Sequence, residues 1–269
     1  MKPRPLAVLG TAMARRPAGA ARLLLLALLA VAPGPSAAGQ PAWTVVLDPG
    51  HGGTQDGALS PRGDREKDLT LEISRRVKRR LERLGARVVL TRTGDQLVPL
   101  VNRAAVANAL QADLFVSIHL NSMPTAEARR VSSGVETYFL SADASDAGAA
   151  ASAARENADR LAGEPQADPA DPVAGILDDL QVAEVLSGSS RLAYALHEKL
   201  VGALKAEDRG VKQAPFYVLA GARMPAVLLE VGFISNAAEA ARLRTADHQA
   251  RIAEAVVGGI LAWRAGGPR

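Results

Sequence analysis

From Trp43 onward, short apolar runs of strand length alternate with stretches whose apolar residues recur every three to four positions. That alternation leaves very few folds open to the chain. Trp43–Leu47, Arg87–Thr91, Asp113–Leu120, Gly134–Leu140, Ala214–Leu219 and Ala226–Val231 read as strands. Asp68–Leu84 reads as a helix, because Leu69, Ile73, Val77 and Leu81 share one face and Gly85 stops it. Leu100–Leu110 is a second helix, a third is capped by Ser189 and runs to about Leu204, and Ala237–Trp263 is mostly helical. Strands joined through helices lie parallel, so the expected fold is α/β: a single domain with a largely parallel twisted sheet and helices on both faces. One segment breaks the rhythm. Residues 141–187 are rich in Ala, Asp and Pro and read as a helical insertion. Ala144–Leu161 forms its Ala-rich helix, "PQADPADP" is a linker, and Val173–Leu186 is amphipathic.

Composition narrows the chemistry. There is no cysteine, so disulfides and thiolate metal sites are excluded, and any metal must be held by His, Asp or Glu. Aromatic residues make up only 3% of the chain, so the core is aliphatic and alanine-rich. The net charge of +4 is misleading, because residues 1–38 hold Lys2, Arg4, Arg15, Arg16 and Arg22 and no acid. The remainder carries one more acid than base and offers no general basic face to nucleic acid. Residues 1–38 read as a secretory signal peptide: a positive region, the short apolar run Leu23–Ala32, and Ser36-Ala37-Ala38 as a cleavage site. The run is short for a membrane span, so the mature protein is expected outside the cytoplasm with no stable span. Arg15-Arg16 hints at twin-arginine export, although the residues after it match poorly.

Four polar residues fall at strand ends or at a helix start. His51 follows the first strand inside "DPGHGG", Glu66 precedes the first helix, His119 ends FVSI and Glu230 ends AVLL. The carboxyl ends of parallel strands open onto one face, where ligands bind. Two imidazoles and a carboxylate suit Zn²⁺ with a fourth position for water, and a second carboxylate can act as a base. The plainer reading is a turn histidine, a core histidine and a solvated helix-start acid; spacing alone does not choose. Glu230 fits that plainer reading worst, since an acid between Ala-Val-Leu-Leu and Val-Gly-Phe-Ile is costly unless paired or near a cation. Asp48 reads mainly as a turn former, with bracing of the loop or of an imidazole as the alternative, Asn121 as a turn residue or a contact to substrate or water, and His197 and His248 as surface residues.

Taken in order, "VVLDPGHGG…GDREKDLTLEISRRVKRRLERLGARVVLTR", "FVSIHLNS", "GVETYFL", "RGVKQAPFYVL" and "PAVLLEVGFISN" resemble the zinc-dependent N-acetylmuramoyl-L-alanine amidases, specifically the catalytic domain of bacterial cell-separation amidases. The likeness runs over residues 43–264. It implies Zn²⁺ held by His51, Glu66 and His119, with Glu230 as the catalytic glutamate. The implied reaction is hydrolysis of the amide between N-acetylmuramic acid and the L-alanine of the peptidoglycan stem peptide. Gln55-Asp56 departs from the Asp-Pro more usual in the family, and only a loop effect is expected.

The resemblance extends to a subgroup in which an inserted helix blocks the zinc cleft until a protein activator displaces it. "AARENADRLAGE" fits that helix, and Glu156 is then the candidate inhibitory zinc ligand; a solvated acid beside Arg155 and Arg160 is the alternative. Peptidoglycan is the implied substrate and the periplasm, or the cell-wall compartment more broadly, the implied location. Two further readings remain at this level: a catalytically dead wall-binding relative, and a zinc peptidase acting within the stem peptide.

Overall fold

The computed structural model describes residues 43–161 and 180–266. Six strands form one sheet: β1 (Thr44–Pro49), β2 (Arg87–Leu90), β3 (Leu114–Asn121), β4 (Val135–Leu140), β5 (Asp208–Ala214) and β6 (Ala226–Phe233). Their order is β2-β1-β3-β6-β4-β5. β2, β1, β3 and β6 run parallel, whereas β4 pairs antiparallel with β6 and carries β5 parallel to itself. The sheet is therefore mixed as well as largely parallel, which apolar runs alone do not reveal.

Seven helices among the described residues flank the sheet: α1 (Glu66–Arg83), α2 (Leu100–Ala109), α3 (Ala126–Val131), α4 (Ala147–Asn157), α5 (Leu180–Leu204), α6 (Ala237–Leu243) and α7 (Ala246–Ala265). Alternation along the strands divides the core into two layers. Val45 and Leu47 of β1, Leu114, Val116 and Ile118 of β3, and Val227 and Leu229 of β6 face one layer, covered by α1, α5 and α7. Val46, Phe115 and Leu228 face the other, which α2, α4 and the Tyr217–Leu219 turn cover. Ala149 and Ala153 of α4 are buried in this second layer. The Ala-rich helix thus packs on the sheet instead of standing clear of it.

Several expected boundaries move. Ala214–Leu219 is not a strand: β5 ends at Ala214, and Tyr217–Leu219 is a single 3₁₀ turn. Ser189 does not cap a helix, since α5 already starts at Leu180; its hydroxyl donates to Val185 O and accepts from Ala226 N–H, pinning α5 to β6. α1 begins at Glu66, two residues before the expected start at Asp68. The signal region, the "PQADPADP" linker and residues 173–179 lie outside the described residues, and residues 180–186 form the start of α5.

Candidate metal centre

Parallel pairing of β1, β3 and β6 brings their carboxyl ends side by side. Pro49 lies opposite Ile118, and His119 opposite Glu230. Just beyond, one extra residue on β6 shifts the register between His119 and Asn121, a bulge at the rim of the site. The loop after β1 turns sharply, with His51 itself at φ +60. Glu66 arrives from the first turn of α1, and its carboxylate is fixed by backbone donors: Ala58 N–H to Oε2 at 2.9 Å and Leu120 N–H to Oε1 at 2.8 Å.

Glu156, near the end of α4, joins this group. His51 Nε2 lies 3.0 Å from Glu66 Oε2 and 3.3 Å from Glu156 Oε2. His119 Nδ1 lies 3.2 Å from Glu66 Oε1 and 2.9 Å from Glu156 Oε2. One donor atom from each of the four residues lies within 4.8 Å of the others, and all four residues are buried. Glu156 is thus no solvated acid. His51 Nε2, His119 Nδ1 and Glu156 Oε2 lie at ion-pair distance but make no hydrogen bond of proper geometry. Buried polar atoms left without directed partners that point at one another are what a shared cation satisfies.

The local backbone leaves just enough room. A Cβ on Gly57, which sits at φ +68, would come 2.5 Å from His51 Cδ2 and 2.7 Å from Glu66 Oε2. A Cβ on Gly50 would strike the His119 ring. The glycines around His51 are therefore where the imidazoles need space.

Charge points the same way. Burial alone drives the His51 imidazole down, but the Glu66 charge and its contacts to Asp159, Glu156 and Glu66 hold its pKa well above the ordinary value. Burial likewise opposes the charge on His119, yet Glu156 and Glu66 raise it to about 10. Glu66, against its burial, is lowered to about 2 by the two histidines, and Glu156 well below its usual range. Without a metal, these shifts favour the imidazolium and carboxylate forms across the cluster. A divalent cation that replaces the two protons leaves the net charge unchanged, so His, His, Glu and Glu fit such an ion.

Glu230 is fully buried, and neither of its oxygens accepts a hydrogen bond. Burial and the nearby Glu156 charge push its pKa well up. Arg155 Nη2 lies 3.9 Å from Glu230 Oε1. Arg155 also reaches Glu156, Ser122 O and Asn121 Oδ1, so α4 occupies the side of the cluster next to Glu230.

Sequence reasoning missed the residues that hold this group in place. Asp159 Oδ2 accepts from His51 Nδ1 at 2.6 Å, turning Nε2 toward the cluster; the bracing carboxylate comes from beyond α4. Asp48 takes the alternative reading, a brace and not a turn former: it is buried in β1, where Thr91, Arg103 and Ser117 donate to it. His197 is no surface residue either; it is buried between Thr137 and Asp208. His248 is half-buried. Asn121 spends its amide on Glu136 and its oxygen on Arg155 and the Ser122 N–H.

Residues 45–262 match the family described as N-acetylmuramoyl-L-alanine amidase. The chain is 36% identical over 221 residues to N-acetylmuramoyl-L-alanine amidase AmiA of Escherichia coli, covering 81% of this chain and 75% of that one. Its fold is similar to that of the crystal structure of N-acetylmuramoyl-L-alanine amidase from Clostridium difficile, with TM-score 0.65 and 28% identity over 85% of this chain and 100% of that one. The CwlD amidase of Clostridioides difficile, solved in complex with the GerS lipoprotein, is similar at TM-score 0.63 and 26% identity, covering 83% of this chain and 99% of that one.

Proposed function

The chain belongs to the N-acetylmuramoyl-L-alanine amidase family and is a peptidoglycan amidase; from that premise we propose that it is zinc-dependent, that His51, Glu66 and His119 hold the ion, and that Glu230 is the catalytic base. The observation that carries this reading is the convergence of buried donor atoms from the loop after β1, from α1 and from β3 beside a buried carboxyl on β6 that accepts no hydrogen bond. Bound zinc supplies a Lewis acid that acidifies water and polarises the scissile carbonyl. Glu230 takes the proton of the attacking water and delivers it to the leaving L-alanine nitrogen. Asp159, while α4 is in place, keeps the His51 ring oriented.

Glu156 occupies the fourth place in the cluster, where water must enter for hydrolysis. The proposed resting form is therefore blocked by α4, and the insertion is the point at which a protein activator acts. The lipoprotein complex of the CwlD amidase is a precedent for a protein partner on this fold. The proposed role is cell-wall remodelling or daughter-cell separation after export of the chain, with residues 1–38 as the signal peptide. Among the described residues no helix is long and apolar enough to cross a membrane.

Metal analysis together with digestion of purified sacculi tests the reaction. Intact stem peptides in the mass spectrum are the expected product; shortened peptides would instead indicate a peptidase. Deleting Asp143–Asp171 should raise the rate above that of the full-length mature protein, and an unchanged rate with metal retained would refute blockage by the insertion.

A further inference from the structure

Behind the metal cluster lies a second buried group that the proposed chemistry does not use. Arg103 of α2 is 1% exposed, yet it has no apolar role. Its Nη1 donates to Asp48 Oδ1 at 2.9 Å and Pro49 O at 3.0 Å, its Nη2 to His51 O at 3.0 Å and its Nε to Val98 O at 3.1 Å. Arg92, 2% exposed, takes the neighbouring carbonyls: Pro49 O at 3.0 Å and Gly50 O at 2.7 Å. Lys67, also buried, donates to Gly53 O at 2.6 Å. Burial and the proximity of Arg103 lower Arg92 to about 10, so the two guanidiniums are held together at an electrostatic cost. Asp48, whose other oxygen accepts from Ser117, fixes Arg103 from the strand side.

These cations hold the carbonyls of Pro49, Gly50, His51 and Gly53 in the loop after β1. His51 sits at φ +60, the left-handed region that residues with a β-carbon adopt uncommonly, histidine more readily than most. The donor that grips the His51 carbonyl is Arg103. A guanidinium presents several N–H groups in one rigid plane, and here it spans a carboxylate and three carbonyls at once.

We propose that Arg103, locked by Asp48, is a positioning residue for the metal: it imposes the left-handed backbone at His51 that aims Nε2 into the cluster. The proposal rests on His51 being a metal ligand. Arg103 touches neither substrate nor metal, so it acts only through the His51 backbone.

The test measures metal affinity of the full mature chain by competition with a chromophoric chelator for Zn²⁺, alongside melting in EDTA. Arg103→Met should weaken zinc binding by ~10- to 100-fold, the range typical of groups that orient a ligand. Arg103→Lys keeps the charge but not the fork and should fall between the two; it also serves where the Met variant does not fold. In a His51→Ala background the same Arg103 substitutions should leave the remaining affinity unchanged, because the residue they act through is gone. A core change such as Ile252→Val, which lowers the melting temperature far from the loop, should not move the affinity. If His51→Ala weakens zinc binding but Arg103→Lys and Arg103→Met do not, the proposal is wrong and the ligand assignment stands. If His51→Ala itself leaves zinc binding intact, the ligand assignment fails first. Equal losses from Arg103 substitution with and without His51 would also overturn the positioning role.

Discussion

Asn157→Ala is the sharpest probe of the proposed blocked form. Asn157 is the last residue of α4, and its side chain ties the helix to the turn after β5. Nδ2 donates to Pro215 O at 2.7 Å, and Oδ1 accepts from Tyr217 N–H at 2.9 Å. Each such bond contributes about 1 kcal/mol net, so losing both weakens closure by ~2 kcal/mol. At about 1.4 kcal/mol per decade, the open population grows by roughly 30-fold, bounded above by how rare it is at the start. None of the four clustered residues is touched, and Ala is a better helix former than Asn, so α4 itself is not melted. Basal release of stem peptide from labelled sacculi, measured without any partner protein, should rise by that factor. Protease sensitivity of residues 147–161 should rise with it. A correctly folded, metal-loaded variant with unchanged basal rate and unchanged protection would refute the idea that α4 is a lid held by this contact.

Glu230→Gln keeps the shape of the buried side chain but cannot take a proton, so bound zinc should persist while turnover falls by ~10²- to 10⁴-fold; metal content by atomic absorption beside a sacculus assay checks both halves. Gly57→Ala places a methyl group against His51 and Glu66 and strains φ +68, so metal affinity should drop even where circular dichroism shows the fold retained. His248 is lowered to about 4 by burial and by Arg242 and Arg251, so the unfolded chain binds a proton there that the folded chain refuses. That contribution is intact above pH ~6.5 and is lost as pH falls toward about 4. His248→Gln should flatten this part of the stability profile, read as the difference in urea midpoint between variant and parent across that window.

How much of this was legible in the sequence follows from which interactions are local. Strand ends and one periodic helix carried His51, Glu66, His119 and Glu230 to one face, because parallel pairing aligns carboxyl ends whatever the strand order. Strand direction was less legible. Gly134–Leu140 reads as a strand either way, and only its pairing with β6 decides that it runs antiparallel. The same holds for residues 214–219, where apolar content suggested a strand but Phe216 and Val218 are buried through a 3₁₀ turn. Arg92 and Arg103 were invisible because a buried arginine looks like a surface one in sequence; only the loop carbonyls they grip, close to fifty residues away in the chain, explain them. Asp159 was missed for a related reason, since it sits beyond α4 and meets His51 only once that helix packs on the sheet.

That packing gives the proposed blockage two separable holds. One is the cluster itself, through Glu156 and Asp159. The other is metal-independent: Asn157 on the turn after β5 and Arg160 stacked 4.9 Å over the Tyr217 ring. A ligand that favours one conformation shifts the equilibrium only by its differential affinity for the two. If zinc gains Glu156 as a fourth ligand when α4 closes, zinc favours the closed form, and chelation alone weakens closure without abolishing it. An activator then has to break the hold at Tyr217 as well as displace Glu156. Asn157→Ala and Glu156→Gln should therefore each raise basal hydrolysis, and the double variant should approach the rate of the Asp143–Asp171 deletion. A double variant no faster than either single one would mean that the two holds act as a single contact.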